Sequence, residues 1–306
     1  SFFFILAALK VKCLGTQGEG TARNTSIRVY LQASGLSMKT YVQSALALGF
    51  LYLIPNYLWF LCLGMDVSVG IVTAIFNTSA AAAYIFSAVF LKEQLDWKKN
   101  IGVGFSVLGA FLSSKATNAA DMFNPAALWT LLAATLYGLW EVLYKKYAVK
   151  NTTTPLLLMF ILGSYGLVHL FVFWVFMIPL NFLHIEPFAF PSIDQFRLLA
   201  FNAFLGTAYN ISFMAALAFL PSPVFVSVAT LMTIPLSSVT DFLFHHTELV
   251  PIQVIGIILI VIGFLIFLVD DLHADGNHTD VNNEPNKAAY TVLTEDIKDS
   301  SYDMTT

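Results

Sequence analysis

The chain has 306 residues, of which 58% are hydrophobic and only 11% are charged. Soluble domains carry about 25% charged residues, so this composition excludes an ordinary water-soluble fold. The net charge of -4 comes mostly from the final thirty-odd residues, and the two cysteines provide neither a disulfide framework nor metal-ligand spacing. We therefore expect no nucleic-acid partner, no metal and no cofactor.

Apolar runs of about twenty residues match the roughly 30 Å hydrocarbon core that a transmembrane helix crosses. A partial run at residues 1–14 is expected to be the end of a span whose beginning is absent. The sequence therefore predicts an all-α polytopic membrane protein with the lipid bilayer as a partner. Eight complete spans are predicted, in chain order at 43–63, 68–91, 101–118, 126–144, 155–180, 198–220, 224–244 and 252–270.

The connections between spans predict the orientation, because cytoplasmic loops are enriched in Lys and Arg. One alternating set of connections, which includes 10–42, 92–100, 145–154 and the C-terminal tail, carries thirteen Lys and Arg, and the other set carries two. This asymmetry predicts a cytoplasmic C-terminus.

Residues 68–93 align without a gap onto residues 223–248. Each segment leads into an apolar helix with glycines seven positions apart, Gly102 and Gly109 in one and Gly256 and Gly263 in the other. The matched spans are five apart, so they cross the bilayer in opposite directions. An inverted-topology repeat is typical of transporters that work by alternating access around a midplane site.

The repeat predicts a ten-helix fold of two inverted five-helix halves that here lacks the first helix and part of the second. The first half is expected at 1–125, truncated at its N-terminus, and the second at 126–270. Residues 271–306 are polar and acidic, and we expect a disordered cytoplasmic tail.

Three ionisable residues lie within predicted spans, where they are costly and point to function. Asp241 ends a polar stripe of hydroxyl groups along span 224–244, and Pro235 in the same helix predicts a hinge or gate. Either the stripe lines a water-filled cavity, or Asp241 reaches lumenal headgroups while the hydroxyls bond their own backbone. Glu141 is expected to pair with Lys145 four residues later, and His169 to bond a neighbouring helix.

The first repeat has a less polar counterpart of this stripe, in which Asn77 and Tyr84 share a face and Thr78 corresponds to Thr233. Thr78 and Ser79 are expected to point away from that face. Amide and phenol groups also lie in the spans just before each repeat core. The predicted substrate-binding residues are Asn56, Tyr57, Thr73, Asn77, Tyr84, Tyr137, Tyr209, Asn210, Thr230, Thr233, Ser237 and Asp241.

The segments "LMTIPLSSVTD" (231–241) and "LYGLWEVLYKK" (136–146) resemble the drug/metabolite transporter superfamily, which is EamA-like, and specifically the F branch of solute carrier family 35. Members show a Thr/Ser-Ile-Pro segment ending in Asp, matched here from Thr233 to Asp241. Their aromatic sixth helix closing on basic residues is matched by Tyr137, Tyr144 and Lys145. The resemblance covers residues 40–270, and Glu141 departs from it.

The resemblance implies ten helices, cytoplasmic termini and solute exchange in an endomembrane, the vacuole or lysosome or the Golgi rather than the plasma membrane. Its best-known members carry anionic nucleotide sugars and place lysines inside their helices. No predicted span interior here has Lys or Arg, so a buried diphosphate would lack compensation.

The sequence therefore predicts a secondary transporter for a small neutral or cationic organic solute, such as a thiamine-like cation held by an acid and aromatic rings. A nucleotide-sugar antiporter is one alternative, and a non-transporting scaffold or receptor on a transporter-derived fold is another. Soluble-enzyme motifs such as HExxH, GxSxG and CxxC are absent, which predicts that the chain is not an enzyme. A homodimer is left open.

Overall fold

The computed structural model describes residues 37–65, 69–94, 96–113, 125–149, 155–184, 189–220, 222–245 and 250–278. Residues 1–14 and most of the predicted tail lie outside these ranges. Every regular element in the described part is helical. Six helical segments there are long and apolar enough to cross a membrane, which confirms an all-α polytopic membrane protein.

Ten α-helices follow one another in the described part of the chain. They are α1 (Met38–Leu63), α2 (Val69–Phe76), α3 (Ser79–Phe86), α4 (Trp97–Ser113), α5 (Pro125–Leu143), α6 (Pro155–Phe182), α7 (Ile193–Phe219), α8 (Pro223–Leu231), α9 (Thr233–His245) and α10 (Pro251–His278). Widened π-helical turns extend α3 through Ser87–Leu91 and α5 through Tyr144–Ala148.

Each of the eight complete predicted spans contains helical structure, and several of the helix ends differ from the predicted boundaries. Helix α4 begins before its predicted start and has only 17 residues. Helix α10 continues to His278, eight residues past the predicted boundary at 270, so the first residues assigned to the disordered tail are helical instead. Hydropathy ends a span where polar residues begin, but a helix can continue beyond the apolar core.

Two spans are broken near their middles. The span that starts at α2 is interrupted by a turn at Asn77 and Thr78, and the span that starts at α8 is interrupted at Met232. Pro235 falls in the first turn of α9, where its missing N–H breaks no helical bond. The gap-free alignment of 68–93 with 223–248 pairs Asn77 with Met232, so both breaks fall at matched positions.

Helices α4 and α10 pack closely through their glycines. A Cβ placed on Gly109 would lie 2.5 Å from the carbonyl oxygen of Gly256, and one on Gly102 would lie 3.1 Å from that of Gly263. Small residues allow backbones in a membrane to approach in this way. The two glycine-bearing helices identified by the alignment therefore face each other, while the arrangement of two inverted five-helix halves stays a prediction.

Helix α5 lies at the centre of the described part and packs against α1, α2 and α3. Gly138 on α5 meets the alanine run of α3, because a Cβ there would lie 2.7 Å from both Ala83 N and Ser79 O. This contact gives the small residues of α3 their role, since larger ones would hold the two helices apart. It also brings the face of α5 that carries Tyr137 and Glu141 towards the break after α2.

Candidate functional site: a polar and aromatic cavity

A cavity of about 270 Å³ lies between the broken helices and α1, α5 and α7. Eight of the twelve predicted site residues line it, and they come from both predicted halves of the chain. The lining residues are Tyr52, Asn56, Trp59, Thr73, Phe76, Asn77, Ser79, Tyr137, Glu141, Tyr209, Asn210, Phe213, Thr230 and Thr233. Their convergence makes this cavity the candidate site.

Six aromatic side chains form much of the wall and contact one another in sequence around it. Trp59 lies with its ring centroid 5.8 Å from that of Phe76, which lies 5.3 Å from Tyr137. Tyr137 is 6.0 Å from Phe213, which stacks on Tyr209 at 5.8 Å. These distances are typical of mutually packed rings, and the continuous aromatic wall suits an apolar or cationic solute.

Glu141 supplies the carboxylate of the cavity. Its side chain is 1% exposed, and the hydroxyl of Ser227 on α8 donates a hydrogen bond to its Oε2 atom. The expectation that Glu141 is an interfacial charge paired with Lys145 is wrong. Helix α5 turns Glu141 inward, towards α8, rather than along its own outer face.

Lys145 instead holds the end of α7. Its Nζ atom donates to the carbonyl oxygens of Leu217, Ala218 and Leu220 at 3.0, 3.3 and 2.6 Å. The last carbonyls of a helix lack partners within the helix and carry partial negative charge, so the ammonium group is compensated there. Lys145 is therefore not needed by Glu141, and no Lys or Arg is among the described residues that line the cavity.

Tyr52 connects the two amide-bearing segments. Its hydroxyl donates to Asn210 Oδ1 at 2.5 Å, while Nδ2 of Asn56 donates to the backbone oxygen of Tyr52 at 2.6 Å. Asn210 also donates to the carbonyl of Gly206 at 2.8 Å. The first of these bonds joins α1 to α7 across the cavity wall, so α1 and α7 share one polar network.

Two donors on the cavity-lining residues have no acceptor among the described residues. They are Nδ2 of Asn77 and Nε1 of Trp59, and both atoms are buried from solvent. Asn77 lies at the break between α2 and α3. An unbonded buried donor is uncommon in a folded protein and calls for an explanation.

The hydroxyl groups of the polar stripe bond the backbone, and two of them also line the cavity. Thr230 and Thr233 line the cavity, and each also donates to the carbonyl three residues earlier, at 2.7 Å. Ser237 makes the same kind of bond to Ile234 but is exposed and away from the cavity. The break at Met232 divides the stripe, so one continuous line of hydroxyls does not form.

Three predicted site residues whose side chains the structure describes are not among those that line the cavity. Ser237 is one, and Tyr57 is a second, although it belongs to α1. Tyr84 packs in an apolar cluster and donates to the carbonyl of Asp96 at 3.3 Å. It does not share the face of Asn77, because the helix is interrupted between them. Asp241 belongs to α9, and its side chain lies outside the described part.

The neighbours of Asn77 divide their roles differently from the prediction. Thr78 donates to the carbonyl of Ile75 at 2.7 Å, as expected for a hydroxyl that bonds back to the preceding turn. Ser79, which was expected to point away, lines the cavity instead. The helix is interrupted at Asn77 and Thr78, so the regular helical spacing on which the prediction for Ser79 was based does not hold across the break. His169 contacts the carbonyl of Gly49 on α1 at 3.1 Å, and this confirms the predicted helix–helix bond.

Sequence reasoning missed six residues of the cavity. Four are aromatic residues in spans rich in aromatics, where nothing in the sequence separates wall residues from lipid-facing ones. Glu141 could have been identified as a site residue because it is an acid within a span, but its spacing to Lys145 favoured a local ion pair. The missed residues are Tyr52, Trp59, Phe76, Ser79, Glu141 and Phe213.

Comparison with known proteins agrees with the sequence resemblance. Residues 28–115 match the EamA-like transporter family. The chain is 27% identical over 239 residues to the thiamine-repressible mitochondrial transport protein THI74 of Saccharomyces cerevisiae, and 26% identical over 188 residues to solute carrier family 35 member F5 of Macaca fascicularis. The resemblance to EamA-like transporters of solute carrier family 35 is confirmed.

The matches cover part of each EamA-like relative. The similarity to THI74 covers 74% of this chain and 64% of that protein, and the similarity to member F5 covers 60% and 43%. An uncharacterised vacuolar membrane protein of S. cerevisiae is 28% identical over 65% of this chain and 54% of its own length. The chain thus spans roughly two fifths to two thirds of the length of these relatives. Their names describe membrane or transport proteins rather than enzymes.

A solved crystal structure shares the fold of this chain. It superposes with a TM-score of 0.52 at 16% identity and covers 86% of both chains. Identity this low shows a common fold and leaves the activity to be argued from the site. The cavity, rather than the fold, therefore carries the functional argument.

Proposed function

We propose that this protein is a secondary transporter that moves a small neutral or cationic organic solute across an endomembrane by alternating access. The observation that carries the proposal is the cavity of about 270 Å³, which combines aromatic walls with the buried carboxylate of Glu141. The relatives named as transport proteins and the EamA match support the transport activity.

The residues that line the cavity favour a positively charged solute. A charged Glu141 in this wall would be costly without a cationic partner, which the described lining residues do not supply, and a positively charged solute would stabilise the charged form. Aromatic faces next to that carboxylate attract organic cations through their ring quadrupoles. Tyr52, Trp59 and Tyr137 offer such faces beside Glu141, and a thiamine-like cation has the matching combination of aromatic surface and charge.

The size of the cavity favours the same class. Small-molecule sites usually have volumes of about 300–1,000 Å³, and this cavity, at about 270 Å³, lies just below that range. A nucleotide sugar needs more room and cationic groups for its diphosphate, and the described lining residues include neither Lys nor Arg. Asp241, whose motif matches the family, is proposed to act along the same pathway.

The broken helices support a hinged mechanism. Both interruptions border the cavity through Asn77 and Thr233, and discontinuous helices at the repeat interface are common at transporter substrate sites. Pro235 in the first turn of α9 is proposed as part of the second hinge. Rotation at the two breaks would open the cavity first to one side of the membrane and then to the other.

A thermal-stability screen followed by transport assays tests the proposal. The purified full chain is heated with thiamine, amines and nucleotide sugars in parallel, and any stabilising solute is then assayed for uptake into proteoliposomes. A cation that stabilises the protein and enters the vesicles supports the proposal, since a ligand that binds the folded state raises its melting temperature. Stabilisation by nucleotide sugars alone would favour the antiporter, and binding without uptake would favour a receptor or scaffold.

A further inference from the structure

The unbonded donors of Asn77 and Trp59 lie on the same cavity as Glu141. Asn77 Nδ2 and Trp59 Nε1 have no acceptor among the described residues, although other polar groups of the cavity are paired. Asn56, Asn210, Thr230 and Thr233 each donate to a backbone carbonyl. The two donors therefore differ from these four side chains, which line the same cavity and bond within the protein.

The position of Asn77 makes this difference informative. The residue lies at the break between α2 and α3, where its own N–H bonds to the carbonyl of Thr73 at 3.0 Å. The matched residue in the second half is Met232, which lacks a donor. An amide is therefore not required to form such a break, and the helix geometry alone does not explain Asn77.

We propose that the solute bears a hydrogen-bond acceptor, such as a carbonyl or ring nitrogen, that pairs with the Asn77 amide and the Trp59 indole while its cationic end lies at Glu141. This inference rests on the proposed function and narrows its substrate class to organic cations with an acceptor group. Sites built to bond a polar group discriminate strongly against analogues that lack it, because their own buried groups are then left unpaired. Asn77 and Trp59 are thus specificity-determining residues.

A pair of matched probes tests the acceptor. The aromatic cation 1-methylnicotinamide carries an amide, whereas 1-ethyl-3-methylpyridinium has a similar ring and charge without an acceptor. We expect 1-methylnicotinamide to raise the melting temperature of the full chain more than the alkyl pyridinium does. In Asn77→Leu the advantage of 1-methylnicotinamide should shrink, and in the double variant Asn77→Leu, Trp59→Phe it should vanish, while Glu141→Gln should lower the response to both probes. Equal responses in the unsubstituted protein, or an amide advantage that is undiminished in Asn77→Leu, would overturn the inference while leaving cation binding intact.

A second measurement decides the question without any solute. If the amide of Asn77 has no partner in the unliganded protein, Asn77→Leu removes an unpaired donor and should raise the melting temperature by about 1–4 °C. The matched control is Asn210→Leu, which breaks the bonds to Tyr52 and Gly206 and should lower it. A fall in Asn77→Leu comparable to that in Asn210→Leu would show that the amide is bonded within the protein and would reject the inference. If neither probe binds, cation recognition fails, and this comparison still decides the role of Asn77.

Discussion

The hydroxyl of Ser227 on α8 donates a hydrogen bond to the buried carboxylate of Glu141 on α5, 86 residues earlier in the chain. This bond ties the first segment of a broken span to the central helix of the described part. It places the carboxylate of the cavity beside the helix that breaks at Met232. Any solute that engages Glu141 thereby acts on a helix that is expected to move.

Replacing Glu141 tests the role of its charge. Glu141→Gln keeps the shape and an acceptor for Ser227, so the protein should remain folded. Loss of a charged partner costs about 1.5–3 kcal/mol, and the affinity for a cationic solute should fall by about 10- to 150-fold. Titration of the purified variant with 1-methylnicotinamide, followed by thermal stability, measures this.

The control for that variant is Ser227→Ala, which removes the hydroxyl but leaves the carboxylate. Its affinity should change less than that of Glu141→Gln, although its stability should fall because the carboxylate loses a donor. Equal affinity in Glu141→Gln and the unsubstituted protein would remove the carboxylate from cation recognition.

Removing the hydroxyl of Tyr52 should loosen the contact between α1 and α7. Tyr52→Phe keeps the ring against Trp140, whose centroid lies 4.6 Å away, but loses the bond to Asn210. We expect a loss of about 1 kcal/mol of stability, seen as a lower melting temperature in detergent. Tyr147→Phe, on an exposed ring, serves as the control, and an equally large effect there would contradict the assignment.

Enlarging Gly138 should force α3 and α5 apart. A Cβ at this position would lie 2.7 Å from backbone atoms of Ala83 and Ser79, and backbone atoms cannot yield as a flexible side chain would. Gly138→Ala should therefore destabilise the protein by about 1–3 kcal/mol, measured by thermal unfolding.

The matched control is Gly104→Ala, on α4, where a Cβ would meet nothing within 4 Å. There the substitution should stabilise the helix by about 0.5–1 kcal/mol, because alanine loses less conformational freedom on folding than glycine. We expect Gly138→Ala to lower the stability and Gly104→Ala to raise it. An unchanged stability in Gly138→Ala would mean that α3 and α5 are not in close contact.

Neutralising Lys145 should release the end of α7. Lys145→Met retains most of the apolar stem but removes the donor shared by the carbonyls of Leu217, Ala218 and Leu220. Bonds from a charged donor contribute about 1.5–3 kcal/mol, so faster amide hydrogen exchange is expected at the end of α7. Lys146→Met is the comparison, since Lys146 lies over the rings of Phe90 and Tyr147 at 5.5 Å and its loss should leave α7 unchanged.

Sequence patterns within one helix did not predict the contacts between helices. The spacing of Glu141 and Lys145 favours an ion pair on one helix, but each side chain has a stronger partner on another element. Ser227 lies 86 residues from Glu141, and Leu220 lies 75 residues from Lys145. Spacing along one helix carries no information about such partners, so the predicted pair was wrong.

The break at Asn77 shows the same limit within one span. Pro235 gave the second interruption a chemical signal, whereas the first has no proline and was expected to continue as one face from Asn77 to Tyr84. The repeat supplied the missing hint, because its alignment pairs Asn77 with Met232. The arrangement of two inverted halves stays a prediction.

The sequence by itself determined that this protein lies in a lipid bilayer and that its secondary structure is helical. Long apolar runs require a bilayer and must form helices there, since every backbone polar group has to be bonded within the chain. It also identified the amides, phenols and hydroxyls of the cavity as polar groups placed where they are costly. Only the tertiary structure decided which of them meet. The orientation of α5, the two helix breaks and the close approach of α3 and α5 at Gly138 bring Glu141 rather than Lys145 to the cavity. The Nδ2 atom of Asn77 is left there without an acceptor among the described residues.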